Sequence, residues 1–189
     1  MDLMLVAGAM EREVSTLQSL LKCDCLFLVT GVGTSKTERS LHQYFRSKLP
    51  SCLIFTGNAG QLDPTLQLGQ VVLPEEWCLE DGSCFRVNRG LAERLRKQNW
   101  KFSRRGITVS TPVLRKKSRL SLHERWGAQI CDMESAAAIK VALAYGVPCL
   151  APKIVSDTAD SGIRAFWSRF EEHMMELAGY LDRLITLIG

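Results

Sequence analysis

No stretch of this 189-residue sequence approaches the run of about 20 apolar residues that a membrane-crossing helix needs. The opening residues Met1-Asp2-Leu3-Met4-Leu5-Val6 carry no basic lead-in, and their apolar run ends at Glu11. They read as a first strand and not as a secretion signal. Histidine is scarce, with three residues at 42, 123 and 173, far apart in the chain. Cys23-Asp24-Cys25 is too closely spaced for a zinc hook and has no second pair to match it, so no metal site is expected. Excess charge is also small. A net charge of +4 gives no case for a nucleic-acid partner. There is no internal repeat, linker or low-complexity run to divide the chain, so residues 1–189 are expected to form a single domain.

Cysteine, in contrast, is plentiful. Seven residues (23, 25, 52, 78, 84, 131 and 149) form an odd set scattered mostly through apolar runs. They are expected to be reduced, buried thiols of a cytoplasmic protein.

Strand and helix patterns alternate along the chain. Residues 3–7 are continuously apolar, and residues 10–22 then fit a helix with Val14, Leu17, Leu20 and Leu21 on one face. Residues 25–29 form a second apolar strand ending at Gly31-Val32-Gly33, after which Thr34 or Ser35 can cap a helix that Pro50 stops. Residues 52–56 form a third strand that runs into Gly57-Asn58-Ala59-Gly60, a glycine-rich stretch expected to turn tightly. Asp81-Gly82 signals a hairpin, and Asn88 can cap a short helix carrying Leu91 and Leu95. Residues 106–110 predict a strand and 115–126 a helix. A βαβ unit is expected over 128–155, followed by a long helix from about 162 to 187. Apolar strands alternating with helices predict an α/β fold of three layers, α/β/α, around a mixed, mainly parallel central sheet.

In such sheets the ligand crevice lies beyond the carboxyl ends of the strands. Glu13, Gly31 to Gly33, Asn58-Ala59-Gly60, Glu134 and Asp157 all follow apolar strands. Gly31-Val32-Gly33 lacks the third glycine of a dinucleotide-binding loop. Asp132 and Glu134 are two apart and point different ways, so Asp132 reads as a helix cap and Glu134 as a first-turn acid. Asp157, beside Ser156 at the end of an apolar strand, is expected to be partly buried and kept protonated as a general acid. The basic run Arg115-Lys116-Lys117-Arg119 reads as a solvated face, with an anion contact as the rival reading.

Four motifs, taken together, carry a resemblance. Gly8-Ala9-Met10-Glu11-Arg12-Glu13-Val14, Thr56-Gly57-Asn58-Ala59-Gly60-Gln61-Leu62, Asp132-Met133-Glu134-Ser135-Ala136 and Val155-Ser156-Asp157-Thr158-Ala159-Asp160 occur in one order. The chain resembles the methylthioadenosine/S-adenosylhomocysteine nucleosidases of the nucleoside phosphorylase superfamily. Its Asp-Met-Glu-Ser-Ala segment is also similar to the hopanoid-associated nucleoside phosphorylases. The resemblance implies that Glu13 activates the attacking water and that Asp157, supported by Ser156, protonates the purine at N7, so that adenine leaves. It implies that Met133 and Glu134 hold the ribose, and that Ala59 and Gly60 lie near base and ribose. Phe166 or Trp167 would wall the pocket for the 5′-substituent, and Val32 and Leu114 would complete the substrate-binding set. A homodimer and no cofactor are implied as well.

The chain also departs from the family pattern. An extra strand pair is missing before Gly31, Ser110-Thr111-Pro112-Val113-Leu114 has no aromatic, and Lys153 stands where an arginine is common. Two alternatives stay open. One is phosphorolysis, with phosphate as co-substrate. The other is a non-catalytic nucleoside-binding or storage protein on the same fold.

Overall fold

The computed structural model describes residues 3–158 and 167–189. Strand β1 (Leu5–Gly8) is buried along its whole length. β1 pairs in parallel with β2 (Leu26–Val29) on one side and with β3 (Leu53–Phe55) on the other. β10 (Cys149–Leu150) then joins β3, also in parallel, giving a four-stranded parallel sheet. Strands that are apolar on both faces fit such a sheet, because both faces must be covered.

The second sheet has seven strands and is mixed. Its members are β4 (Asn58–Gln61), β5 (Val71–Val72), β6 (Pro74–Leu79), β7 (Cys84–Arg86), β8 (Ser103–Thr108), β9 (Ile130–Asp132) and β11 (Lys153–Asp157). They are ordered β5-β11-β4-β9-β8-β6-β7. The sheets are two parts of one bent surface. β3 passes into β4 through Gly57, and β10 passes into β11 through Ala151 and Pro152. The two bent strands lie side by side and are tied at the bend, where Thr56 Oγ1 donates to the Pro152 carbonyl at 2.9 Å. The glycine-rich stretch expected to turn is therefore mostly strand, and only Gly57 makes the bend. Its φ of +136° is open to glycine, and a Cβ there would sit 2.9 Å from Glu13 Oε1.

Helices cover both sides. α2 (Thr34–Ser47) packs on α5 (Ser135–Ala144), and α6 (Phe170–Ile188) packs on α1 (Glu11–Leu20) and α3 (Arg89–Lys97). α4 (Lys116–Trp126) follows β8. Local rules explain several boundaries. Asn88 Oδ1 accepts from the Leu91 amide at 2.9 Å, so Asn88 caps α3 as expected. α2 is entered through Gly33 at φ +98°, and neither Thr34 nor Ser35 is its cap. The expected start of the last helix near 162 lies outside the described residues.

The cysteine expectation needs correction. Cys78 and Cys84 face each other in the β6–β7 pairing and form a disulfide, while Cys23 and Cys25 are only half-buried. The hairpin at Asp81-Gly82 brings the two sulfurs together, a pairing that the count and spacing of cysteines do not reveal. Cys52, Cys131 and Cys149 are buried free thiols, as expected. Among the described residues no helix is long and apolar enough to cross a membrane.

Candidate active site

The bend opens a cavity of about 290 Å³, at the small end of the range for ligand sites. Glu13, Val32, Ala59, Gly60, Leu114, Met133, Glu134, Asp157 and Trp167, all expected from the sequence, line it. Ser156 stands behind the wall, buried, with Oγ 3.2 Å from Asp157 Oδ1 and 3.4 Å from the Ala59 carbonyl. Phe166 lies outside the described residues.

Glu13 occupies the first turn of α1 and is buried. Its Oε2 accepts from the Met10 amide at 3.2 Å. Its Oε1 accepts from the Asn58 amide at 2.9 Å and from Asn58 Nδ2 at 2.6 Å. A carboxylate has about four acceptor positions, so the three protein donors leave room for one more hydrogen bond from the cavity. All three donors are neutral. They fix the group without cancelling its charge, which suits a base.

Asp132 caps the helix with its side chain as expected, but Glu134 holds the N-cap position of α5 and is not in its first turn. Asp132 accepts from the Ser135 amide at 3.0 Å and from Thr108 Oγ1 at 2.7 Å, and it pairs with the buried Lys153 ammonium at 3.2 Å. Its acceptor capacity is spent on the start of α5, which makes it a structural cap. Glu134 stands just ahead of the first turn of α5, at the cap position itself. Its Oε1 accepts from the Gly33 amide at 2.7 Å, leaving its remaining acceptor positions for a ligand. Burial, then the negative charge of Asp132, push its carboxyl up to about 7, with Lys153 and the Gly33 N–H pulling the other way.

Asp157 corrects a specific expectation. Its carboxyl is not left isolated by the apolar strand, because Oδ2 forms an ion pair with Arg119 Nη2. Arg119 is itself only 4% exposed. Its Nε donates to the Val113 carbonyl at 2.8 Å, and its Nη1 donates to the Gln61 and Asp157 carbonyls, each at 3.1 Å. Arg119 therefore belongs to the site and not to a solvated face. The available signal was its place on α4, three residues before Leu122 and seven before Trp126, on the stripe that packs inward. Asn58, Met10 and Lys153 also border the cavity. Asn58 was legible only as part of a motif, without a role. Cys131 adds a thiol to the wall, pushed up to about 12 chiefly by burial.

Among the described residues, one group has the spacing of metal ligands: Glu76, Cys78 and Cys84. Its two sulfurs are joined in the disulfide, and it lies away from the cavity.

A bent two-sheet α/β fold with a carboxylate-lined cavity at the bend defines the class, and comparison with known proteins gives the family. Residues 10–188 match the family described as the phosphorylase superfamily, and the chain belongs to it. A 5′-methylthioadenosine/S-adenosylhomocysteine nucleosidase of Buchnera aphidicola is 20% identical, with 97% of this chain and 94% of the relative covered. The Helicobacter pylori enzyme of that name, solved with butyl-thio-DADMe-Immucillin-A, superposes with a TM-score of 0.87 at 17% identity, covering 98% of each chain. A futalosine hydrolase mutant of the same organism gives 0.86 at 16% identity, covering 98% of this chain and 99% of the other.

Proposed function

We propose that this chain hydrolyses the N-ribosidic bond of purine nucleosides, the kind of reaction for which its nucleosidase relatives are named. The observation that carries the reading is the placement of Glu13, Glu134 and Asp157 around one cavity, each with acceptor capacity still open.

Glu134 receives the 2′- and 3′-hydroxyls of the ribose, beside Met133. Asp157 meets the purine edge at N7, with Ser156 steadying Oδ1. Glu13 accepts a proton from a water molecule held at the anomeric carbon. As C1′–N9 breaks, its electron pair passes into the purine ring, the Asp157 carboxyl passes its proton to N7, and the base departs neutral. The water oxygen bonds to C1′, and the product is free ribose with its 5′-substituent. Two carboxyl groups on opposite sides of the breaking bond follow the logic of inverting glycosidases, and each such acid or base contributes about 10²–10⁴-fold.

Hydrolysis is favoured over phosphorolysis by the charge inventory. Phosphate needs an uncommitted cation near C1′. Among the described residues, the cations lining the cavity, Lys153 and Arg119, are already paired with Asp132 and Asp157. Incubation of the pure protein with methylthioadenosine, adenosine and inosine, with and without phosphate, tests the reading. Free base in the absence of phosphate is expected. Cleavage only with phosphate, giving ribose 1-phosphate, would refute it, and no product from the panel would favour a binding protein.

We also propose a cytoplasmic homodimer that needs no cofactor. Val32, Leu114 and Trp167 are 46%, 62% and 51% exposed at the cavity, an apolar rim that a second copy can cover. Light scattering of the purified protein should give twice the 21.1 kDa chain mass.

A further inference from the structure

The mechanism above uses Asp157 but leaves its buried partner without a task. A guanidinium has five N–H donors. Four of those of Arg119 are satisfied, by the carbonyls of Val113, Gln61 and Asp157 and by Asp157 Oδ2. The second N–H of Nη2 has no acceptor among the described residues, and the side chain borders the cavity.

On a purine, N7 and the substituent at position 6 lie side by side along one edge. A carboxylate facing that edge with its second oxygen open would accept an N–H from a 6-amino group. Here Oδ2 is bound to the Arg119 guanidinium, so a 6-amino group reaching for its remaining acceptor position would lie against a cation, while Oδ1, beside Ser156, is the oxygen that meets N7. An amino group at position 6 would meet donor with donor, whereas an oxygen there accepts the spare N–H. The match improves as the reaction proceeds, because the electron pair released from C1′–N9 is shared with a 6-oxygen, where a fixed cation stabilises it most.

We infer that Arg119 positions Asp157 and selects purine nucleosides bearing an oxygen at position 6 over those bearing an amino group. The inference rests on the proposed cleavage of purine nucleosides. A site built around a polar partner discriminates against an analogue that leaves it unpaired.

The test compares kcat/KM within pairs that share a 5′-group: inosine against adenosine, and 5′-methylthioinosine against 5′-methylthioadenosine. The expected preference for the 6-oxo member is about ten- to hundredfold, the size of one hydrogen bond to a charged donor. Arg119→Met should lower kcat for both members and bring the ratio close to one, and Arg119→Lys should restore part of it. The ratio does not depend on the fraction of protein that is folded. Calorimetry gives a second readout without turnover, with hypoxanthine expected to bind tighter than adenine. A wild-type preference for the 6-amino member, or a ratio unmoved in Arg119→Met, would overturn the inference while leaving nucleoside cleavage intact. No cleavage of either member of any pair, with or without phosphate, would overturn both.

Discussion

At the Glu13 and Glu134 end of the cavity, the carboxylates are held by the amides of Met10, Asn58 and Gly33 and by the Asn58 side chain. At the Asp157 end, the carboxylate is held by a buried guanidinium that arrives from α4, 38 positions away. Neutral donors place a carboxylate and leave its charge available. A buried cation places it too, but binds its charge into a pair whose members depend on each other. The first arrangement supplies reactivity at modest structural cost. The second ties catalysis, base recognition and stability to the same contact.

The largest expected effect breaks the second arrangement. Asp157→Asn should lower kcat by about 10²–10⁴-fold. It also leaves Arg119 buried and unpaired, so it should destabilise the fold by about 2–3 kcal/mol, less than for a fully enclosed pair because Asp157 faces the cavity. Glu13→Gln should lower kcat over the same range with a smaller loss of stability, about 1 kcal/mol, since the amide oxygen can still accept from Asn58 while the amide nitrogen faces the Met10 N–H. Equal melting temperatures for the two variants would erase the distinction between the ends.

Glu134 provides the next test. Its folded value of about 7 stands above the ordinary 4.5, so between those values the folded state binds the extra proton. Ionising Glu134 therefore costs stability as pH rises from about 4.5 to 7. Above pH 7, Glu134→Gln should stabilise the fold by about 1–3 kcal/mol in denaturant titrations. The same variant should raise KM for nucleosides. The wild-type fall in kcat/KM below pH 7, where the carboxyl protonates and loses acceptor capacity, should flatten.

The smallest effect concerns a region remote from both ends. Reducing Cys78–Cys84 should lower the melting temperature by a few degrees and leave turnover unchanged, because β7 is the edge strand and β8 and β9 separate β6–β7 from β4. Loss of activity on reduction would mean that the edge communicates with the cavity.

The same contrast explains what the sequence made legible. Apolar runs, the Asn88 cap and the Asp81-Gly82 turn are local signals, and they identify most of the strands and helices. Glu13 and Glu134 were legible because their holders lie beside them or in glycine motifs at strand ends. β4 was missed because glycine and asparagine favour turns, and only pairing with β9 and β11 makes Asn58–Gln61 a strand. Arg119 was missed because a run of basic residues resembles a solvated face. Its burial depends on where α4 docks, which no local pattern states. The disulfide likewise depends on register across a hairpin.

The central claim is that Glu13 drives attack by water. The most direct measurement is cleavage of a purine nucleoside in phosphate-free buffer made with ¹⁸O-labelled water, with mass analysis of both products. One labelled oxygen in the released sugar and none in the base is the predicted result. An unlabelled sugar 1-phosphate, formed only when phosphate is supplied, would contradict the account.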